Sequence, residues 1–187
     1  MEGEHRVGQA RLPAPVKVFV GVIIAWPERA GQVEVKLVER LGPVELRSGV
    51  LDFGYSAYYQ EEMGEGLKRY FLGFRDLVSP DHLVALKHYT NELEHNAFSE
   101  GGRRWANLDP GYLTAAKVVL ATTKDYAHRL YVSSGIYEEV TLIYRDRRFE
   151  ALPWTYPDYR SGDYDAFFHQ LRATYMRQLT EAQKAGG

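Results

Sequence analysis

The chain contains no cysteine among its 187 residues. This absence excludes a disulfide framework, cysteine zinc sites and thiolate nucleophiles. The longest apolar run, Val18 to Trp26, is too short to cross a bilayer, and residues 1–15 lack the apolar core of a secretory signal peptide. We therefore expect a soluble, cytoplasmic protein that makes no membrane contact.

The sequence also lacks an excess of positive charge, since its formal net charge is −2 at pH 7. Domains that bind nucleic acid are usually basic, so this balance argues against that class of partner. The phosphate-binding loop G-x-x-x-x-G-K-[ST], the dinucleotide motif G-x-G-x-x-G, the nucleophile elbow G-x-S-x-G and the zinc motif H-E-x-x-H are all missing. The absence of these motifs excludes the nucleotide-binding, hydrolase and metalloprotease sites that the motifs define.

Aromatic residues are abundant instead, with 14 Tyr, 8 Phe and 3 Trp. A tyrosine ring packs well while its hydroxyl needs a polar partner, which suits both half-buried sheets and pocket walls. The length and the 45% hydrophobic content are typical of one globular domain. We expect a flexible segment over residues 1–15 and a single α+β domain over residues 16–187.

The first half of the chain alternates strand and helix signals. Val16–Ala25 is a β-branched apolar run typical of a central strand buried on both faces. The further predicted elements are a helix from Pro27 to Leu41, a strand Val44–Phe53, a loop Gly54–Gly66, a strand Leu67–Val78, a helix from Ser79 to about Phe98 and a strand Arg103–Asn107. This order predicts a ferredoxin-like βαββαβ core.

Beyond that core, the pattern predicts an antiparallel β extension and a C-terminal helix. The predicted strands are Lys117–Thr122, Arg129–Val132, Ile136–Arg145 and Phe149–Leu152, and the helix covers Tyr164–Gln183. Asp146-Arg147-Arg148 has the composition of a hairpin turn between the last two strands.

The second predicted helix carries three histidines and one polar stripe. His88 and His95 share a face but lie about 10 Å apart along the axis, too far to bind one ion directly. Lys87, Asn91 and Glu94 form the stripe. It is either the solvated face of an amphipathic helix or part of a site that includes the segment after it.

That following segment, residues 103–129, concentrates charged side chains. Asn107-Leu108-Asp109-Pro110-Gly111 has the composition of a tight turn, and Asp109 is either a turn-former or a site residue. Arg104, Lys117, Lys124 and Arg129 are cations that would suit an anionic ligand. His128 is the side chain there that exchanges protons near neutral pH. Ordinary surface charges would explain the same pattern.

The aromatic segment Pro153–Arg160 is stiffened by two prolines. It either covers the sheet or walls a pocket, and in the second case Trp154, Tyr156 and Tyr159 offer stacking faces. Glu139 alternates with Tyr137 and Thr141 on a strand face that would line the same pocket.

Two strings, Asn107-Leu108-Asp109-Pro110-Gly111-Tyr112 and Trp154-Thr155-Tyr156-Pro157-Asp158-Tyr159, are distinctive. With Tyr58-Tyr59 and Gly135-Ile136-Tyr137, they resemble a bacterial and archaeal family catalogued as a domain of unknown function. The resemblance extends from Pro15 to about Leu179. It implies a family but no catalytic residue.

Three hypotheses follow. The first is an enzyme or binder for an anionic, phosphorylated or nucleotide-like small molecule. Its catalytic candidates are Asp109, His128 and Glu94, and its ligand-binding candidates are Arg104, Asn107, Lys117, Lys124, Arg129, Glu139 and Tyr156. No dedicated metal cage is expected, although Mg²⁺ is compatible with Asp109 or Glu94 and ligand phosphates. The alternatives are an interaction or scaffold protein without catalysis and a single-stranded RNA-binding module. Convergence of these residues in one pocket would favour the first.

Overall fold

The apolar run near the start of the chain forms the central strand of the main sheet. In the computed structural model, which describes residues 8–185, every residue of β1 (Val16–Ile24) is buried. This strand is paired antiparallel on both sides. The prediction of a central strand is therefore confirmed.

Helix and strand each account for about a third of the chain, 34% and 35%, and the strand pairs within residues 8–185 are all antiparallel. The remaining strands are β2 (Val44–Arg47), β3 (Leu51–Asp52), β4 (Lys68–Val78), β5 (Ser99–Glu100), β6 (Arg103–Arg104), β7 (Ala106–Leu113), β8 (Lys117–Thr122), β9 (Leu130–Ser133), β10 (Ile136–Arg145) and β11 (Arg148–Ala151). The helices are α1 (Ala30–Leu41), α2 (Ala57–Met63), α3 (His82–Asn96), α4 (Pro157–Arg160) and α5 (Asp165–Ala185), with a 3-10 turn at Pro27–Arg29.

The main sheet has the order β11-β10-β8-β7-β1-β4-β2, with β3 paired to β4 and β9 paired to β10. Alternate residues of β1 point to opposite faces. Val20 and Val22 belong to the core that includes Val33 of α1 and other residues of α1 and α3, whereas Phe19 packs with Phe168 of α5. The sheet is therefore a middle layer, with α1 and α3 on one side and α5 on the other.

Several predicted elements differ in the structure. The strand predicted over Arg103–Asn107 is divided between β6 and β7. The segment predicted as a loop, Gly54–Gly66, contains helix α2. The single strand predicted over Val44–Phe53 is divided into β2 and β3, with Ser48-Gly49 in the break. Of the segment predicted to be flexible, residues 8–15 are exposed and have no regular secondary structure, and residues 1–7 lie outside the described residues.

The prediction of a tight turn at Asn107–Gly111 is wrong, because these residues lie within strand β7. Proline and glycine serve close packing here instead. A Cβ on Gly111 would lie 2.5 Å from the carbonyl oxygen of Val119 and 2.6 Å from the ring of Phe19. Glycine at this position therefore allows β7 to approach both its neighbouring strand and the core.

Within residues 8–185, the helices fall short of the length and apolar character needed to cross a membrane.

Candidate functional site

The main sheet divides between β7 and β8. The two strands pair only through Gly111 to Leu113, whereas β7 pairs with β1 over its whole length. In an antiparallel strand, alternate backbone groups point to the same neighbour, so Leu108 and Pro110 both face the gap. Proline has no N–H, and Pro110 therefore leaves no donor unpaired where the ladder ends.

Side chains of α3 bind the backbone that the gap exposes. The Leu108 N–H donates to Glu94 Oε1 over 2.8 Å, and Lys87 Nζ donates to the Leu108 carbonyl over 3.2 Å. Both side chains are buried. The polar stripe of the helix is therefore not a solvated face, because Lys87, Asn91 and Glu94 all line the cavity that opens at this gap.

The cavity has a volume of about 310 Å³, at the lower end of the range of small-molecule sites. Strands supply its floor, and α2, α4 and the segment after β8 surround its mouth. Its lining consists of Ile23, Phe53, Tyr55, Ser56, Tyr58, Tyr59, Arg69, Lys87, Asn91, Glu94, Arg104, Asn107, Asp109, Leu120, Ala121, Thr122, Thr123, Lys124, Glu139, Tyr156, Pro157, Asp158 and Tyr159.

Arg69 of β4 is the buried cation of the floor, with 1% of its surface exposed. Its guanidinium donates to Asp109 Oδ2 over 2.8 Å and to the Tyr159 hydroxyl over 3.0 Å. Gly21 of β1 provides the space, because a Cβ there would lie 2.7 Å from Arg69 Nη2. The floor of the cavity therefore carries the positive charge of Arg69 and the negative charge of Asp109 in fixed positions.

Arg104 joins the helix stripe to β7 and α2. It donates to Asn107 Oδ1 and to Glu62 Oε2, each over 2.8 Å, and also pairs with Glu94. This arrangement leaves Asn107 Nδ2 buried and without a hydrogen-bond acceptor among the described residues. The nearest acceptor is the Asp109 carboxyl, whose pKa the Asn107 amide helps to lower.

The carboxyl groups of the cavity differ in their tendency to ionise. Burial alone would raise the pKa of Asp109, but Arg69 and Lys87 beside it bring that pKa below its usual value. Burial raises the pKa of Glu94 and, likewise, the pKa of Asp158. Asp109 is therefore the carboxylate of the site that is most firmly held in the charged state.

Glu139 of β10 lines one wall of the cavity. The buried Arg129 lies behind this wall and neutralises the charge of Glu139. The Arg129 Nε donates to Glu139 Oε2 over 2.7 Å, and Nη2 donates to the Tyr156 hydroxyl over 2.5 Å. Burial raises the pKa of that hydroxyl to about 12. His128 Nε2 lies 3.1 Å from the same carboxylate oxygen, and the His128 ring stacks against Trp154 at 5.5 Å.

Seven of the ten predicted site residues line the cavity, namely Glu94, Arg104, Asn107, Asp109, Lys124, Glu139 and Tyr156. The other three do not. His128 and Arg129 lie behind the wall, in contact with Glu139. Lys117 is exposed at the first residue of β8, whereas the lining residues of that strand lie at its other end.

Sequence reasoning missed Arg69, Asp158 and the tyrosines of α2 as site residues. Arg69 lies beside Lys68 at the start of an apolar strand, where a solvated cation is expected, and only the tertiary contact with Asp109 identifies it. In the sequence, Asp158 is only one polar residue of an aromatic segment. The residues around α2 have the composition of a loop, and no site residue is predicted among them.

Three charged side chains of the lining take part in no ion pair among the described residues. Arg69 pairs with Asp109, Arg104 with Glu94, and Arg129 neutralises Glu139. Among residues 8–185, Lys87, Lys124 and Asp158 have no oppositely charged side chain within ion-pair distance. Lys124 Nζ does lie 4.8 Å from the centre of the Tyr58 ring.

Histidine, aspartate and glutamate side chains do not form a group of three suited to hold a metal ion anywhere in residues 8–185. Any divalent ion would therefore need oxygen atoms from a ligand as well.

Comparison with known proteins identifies a family but no characterised relative. The family model described as "Domain of unknown function (DUF4416)" matches residues 14–175. No curated protein matches the chain, and no solved structure matches it. Because the family model covers well over half of the sequence, the chain belongs to the DUF4416 family, whose function is unknown.

Proposed function

We propose that this protein binds a small anionic molecule, phosphorylated or nucleotide-like, in the cavity between β7 and β8. The observation that carries the proposal is that two lysines, Lys87 and Lys124, line this cavity without a carboxylate partner among the described residues. A phosphate group accepts hydrogen bonds only and carries negative charge, so it satisfies both needs of an ammonium group.

Lys87 is the more informative of the two lysines because it is buried, with 8% of its surface exposed. A buried ammonium group is costly unless acceptors or opposite charges compensate it. Its one hydrogen bond goes to the Leu108 carbonyl, which leaves two of its three N–H donors for a ligand. The amide nitrogen of Asn107, which makes no hydrogen bond of good geometry among residues 8–185, adds a neutral donor to the same lining.

Tyrosines at the mouth of the cavity favour a ligand that has a ring as well as an anion. Tyr55, Tyr58 and Tyr156 line the cavity yet remain 42%, 55% and 41% exposed. Such rings offer flat apolar faces to a sugar or a base while their hydroxyls stay hydrated. A sugar phosphate or a mononucleotide combines both groups within a size suited to the cavity.

A thermal-denaturation series tests the proposal. Inorganic phosphate, ribose 5-phosphate and AMP are titrated with and without Mg²⁺ into wild-type protein, Lys87→Met, Lys124→Ala and the control Lys117→Ala. At a concentration one hundred times Kd, binding adds about 2.7 kcal/mol of stability, which corresponds to a Tm increase of about 5–10 °C for a domain of this size. We expect the increase in wild type and in the control and its loss in the two cavity variants. If none of the three probes raises the Tm of the wild type, the proposal is wrong.

Within this proposal, Asp109 is the residue suited to hold Mg²⁺ together with ligand phosphate. Its carboxyl remains ionised, and it lies in the lining. Both oxygens of Glu94 are already engaged, by the Leu108 N–H and by Arg104. His128 lies outside the lining. We therefore propose neither Glu94 nor His128 as the reacting group.

We also propose that the four strands β7, β1, β4 and β2 form a ferredoxin-like core with α1 and α3. The antiparallel order β7-β1-β4-β2 and the shared core of α1 and α3 support it. RNA recognition on such a sheet needs a free face with exposed aromatics. Because helices cover both faces of β1, the small-molecule proposal is preferred.

A further inference from the structure

Asp158 is a buried carboxylate of the same cavity for which the proposed anion offers no partner. It lies in α4, is 6% exposed and contributes to the cavity lining. The Tyr164 hydroxyl donates to Asp158 Oδ2 over 3.1 Å. Arg69, the guanidinium on the adjacent floor, is bonded to Asp109 and Tyr159 instead. Asp158 therefore lacks a cation within ion-pair distance among residues 8–185.

We propose that the natural ligand carries an amino group in addition to its phosphate, and that the carboxylate of Asp158 receives this amino group. The inference rests on the proposed function, since it describes a second group of the same ligand. Hydrogen bonds from the Tyr164 hydroxyl and the Tyr159 backbone offset only part of the cost of burying a carboxylate that has no opposite charge beside it. An ammonium group supplies both the opposite charge and N–H donors.

The charge balance of the cavity agrees with this ligand class. The lining carries four positive side chains and four negative ones, and Arg129 and Glu62, which pair with lining residues from outside, add one charge of each sign. A phosphate monoester carries close to two negative charges at neutral pH. One ammonium group reduces the net charge of the ester to about −1, so an aminated phosphate ester brings less uncompensated charge into this balanced cavity than a plain ester does.

The positions of these groups favour a ligand with separated charges. Lys87 donates to the carbonyl of Leu108, the neighbour of Asp109, whereas Arg69 donates both to Asp109 and to Tyr159, the neighbour of Asp158. Asp109 and Arg69 thus lie between Lys87 and Asp158. A ligand with its phosphate towards Lys87 would direct a distal amino group towards Asp158.

Matched pairs of phosphate esters test the inference by titration calorimetry. O-phosphoethanolamine is compared with propyl phosphate, which replaces the ammonium group by a methyl group, and glucosamine 6-phosphate is compared with glucose 6-phosphate. Measurements at about pH 6.5 keep the amino groups protonated. We expect wild-type protein to bind the aminated member of at least one pair about tenfold more tightly, as a charged hydrogen bond implies.

The variants separate a direct contact from a general charge effect. Asp158→Asn keeps the shape of the side chain and an acceptor for Tyr164, so the protein should stay folded while the tenfold preference disappears. The control Asp163→Asn changes an exposed acid of the same segment, which accepts a hydrogen bond from Tyr55, and should keep the preference.

Two negative outcomes remain distinct. If phosphate esters bind in a Lys87-dependent way but neither aminated compound is preferred, the inference is wrong and the proposed function stands. If no phosphate ester binds at all, both are overturned. A preference that survives Asp158→Asn also overturns the inference, because the ammonium group would then contact another residue.

Discussion

The guanidinium of Arg69 lies 2.8 Å from the carboxylate of Asp109, and this pair joins β4 to β7 across β1 beneath the cavity. Arg69 is almost entirely buried, whereas the Asp109 side chain is 26% exposed towards the cavity. The pair therefore has one buried member that depends on the other for its charge balance. Four predictions concern this floor and the gap beside it.

Removal of Asp109 should destabilise the protein more than removal of an exposed acid. Asp109→Ala leaves the Arg69 charge without its carboxylate, and breaking a buried pair costs about 3 kcal/mol or more. The free energy of unfolding in urea measures the loss. Asp52→Ala provides the matched control, because Asp52 pairs with Lys68 while 90% exposed and such pairs contribute little. Equal losses in the two variants would refute the prediction.

The contribution of Asp109 should depend on pH in one direction. Its folded-state pKa is lowered, so its stabilisation is complete above the unfolded pKa of about 3.9 and is lost as pH falls through the lower folded value. The stability difference between wild type and Asp109→Asn should be constant between about pH 5 and 8 and should shrink below about pH 4. Urea denaturation over this range measures it. A difference that grows in acid would contradict the sign of the pKa shift.

Gly21→Ala should displace Arg69. The added Cβ would lie 2.7 Å from Arg69 Nη2 and 2.9 Å from the ring of Phe71, and Arg69 is fixed by its bonds to Asp109 and Tyr159. Overpacking of this kind costs about 1–3 kcal/mol. In contrast, Gly31→Ala meets no atom within 4 Å and lies in α1, where the change should stabilise by about 0.5–1 kcal/mol. Thermal denaturation of both variants measures the opposite shifts, and a neutral result for Gly21→Ala would show that Arg69 is not fixed.

Glu94→Ala should expose the backbone at the gap. The Leu108 N–H would lose its acceptor, which costs about 1–3 kcal/mol for a buried group, and Arg104 would lose one of its carboxylates. We expect faster hydrogen exchange of the Leu108 amide than in wild type, measured by NMR. Glu92→Ala on the exposed side of the same helix should leave that exchange rate unchanged. Unaltered exchange in Glu94→Ala would mean that β8 or water satisfies this amide.

The regular elements were predictable where hydrophobic pattern and pairing agree. β8 and β10 begin and end at the predicted residues. Polar turn residues flank β10 on both sides and follow β8. The almost entirely apolar β1 is typical of a central strand. The pattern of these strands is local, so a single sequence contains enough information to define them.

Other features were hidden because a distant residue decides them. Asp109, Pro110 and Gly111 are typical of turns, yet each suits its place in β7 through another part of the chain. Asp109 pairs with Arg69, Pro110 faces the gap, and Gly111 makes room for Val119 and Phe19. The polar stripe of α3 was recognised, but its burial follows from the parting of β7 and β8, which the sequence of the helix does not encode.

The division of the sheet also separates two tasks that loops perform together in many binding proteins. Strand residues such as Arg69 and Asp109 place the charges of the floor, and their positions are constrained by the core. At the mouth, the side chains of Tyr58, Lys124 and Tyr156 are exposed and lie outside the hydrophobic core. Under the proposed function, substitutions of these side chains would change which molecules enter while the charges of the floor stay in place.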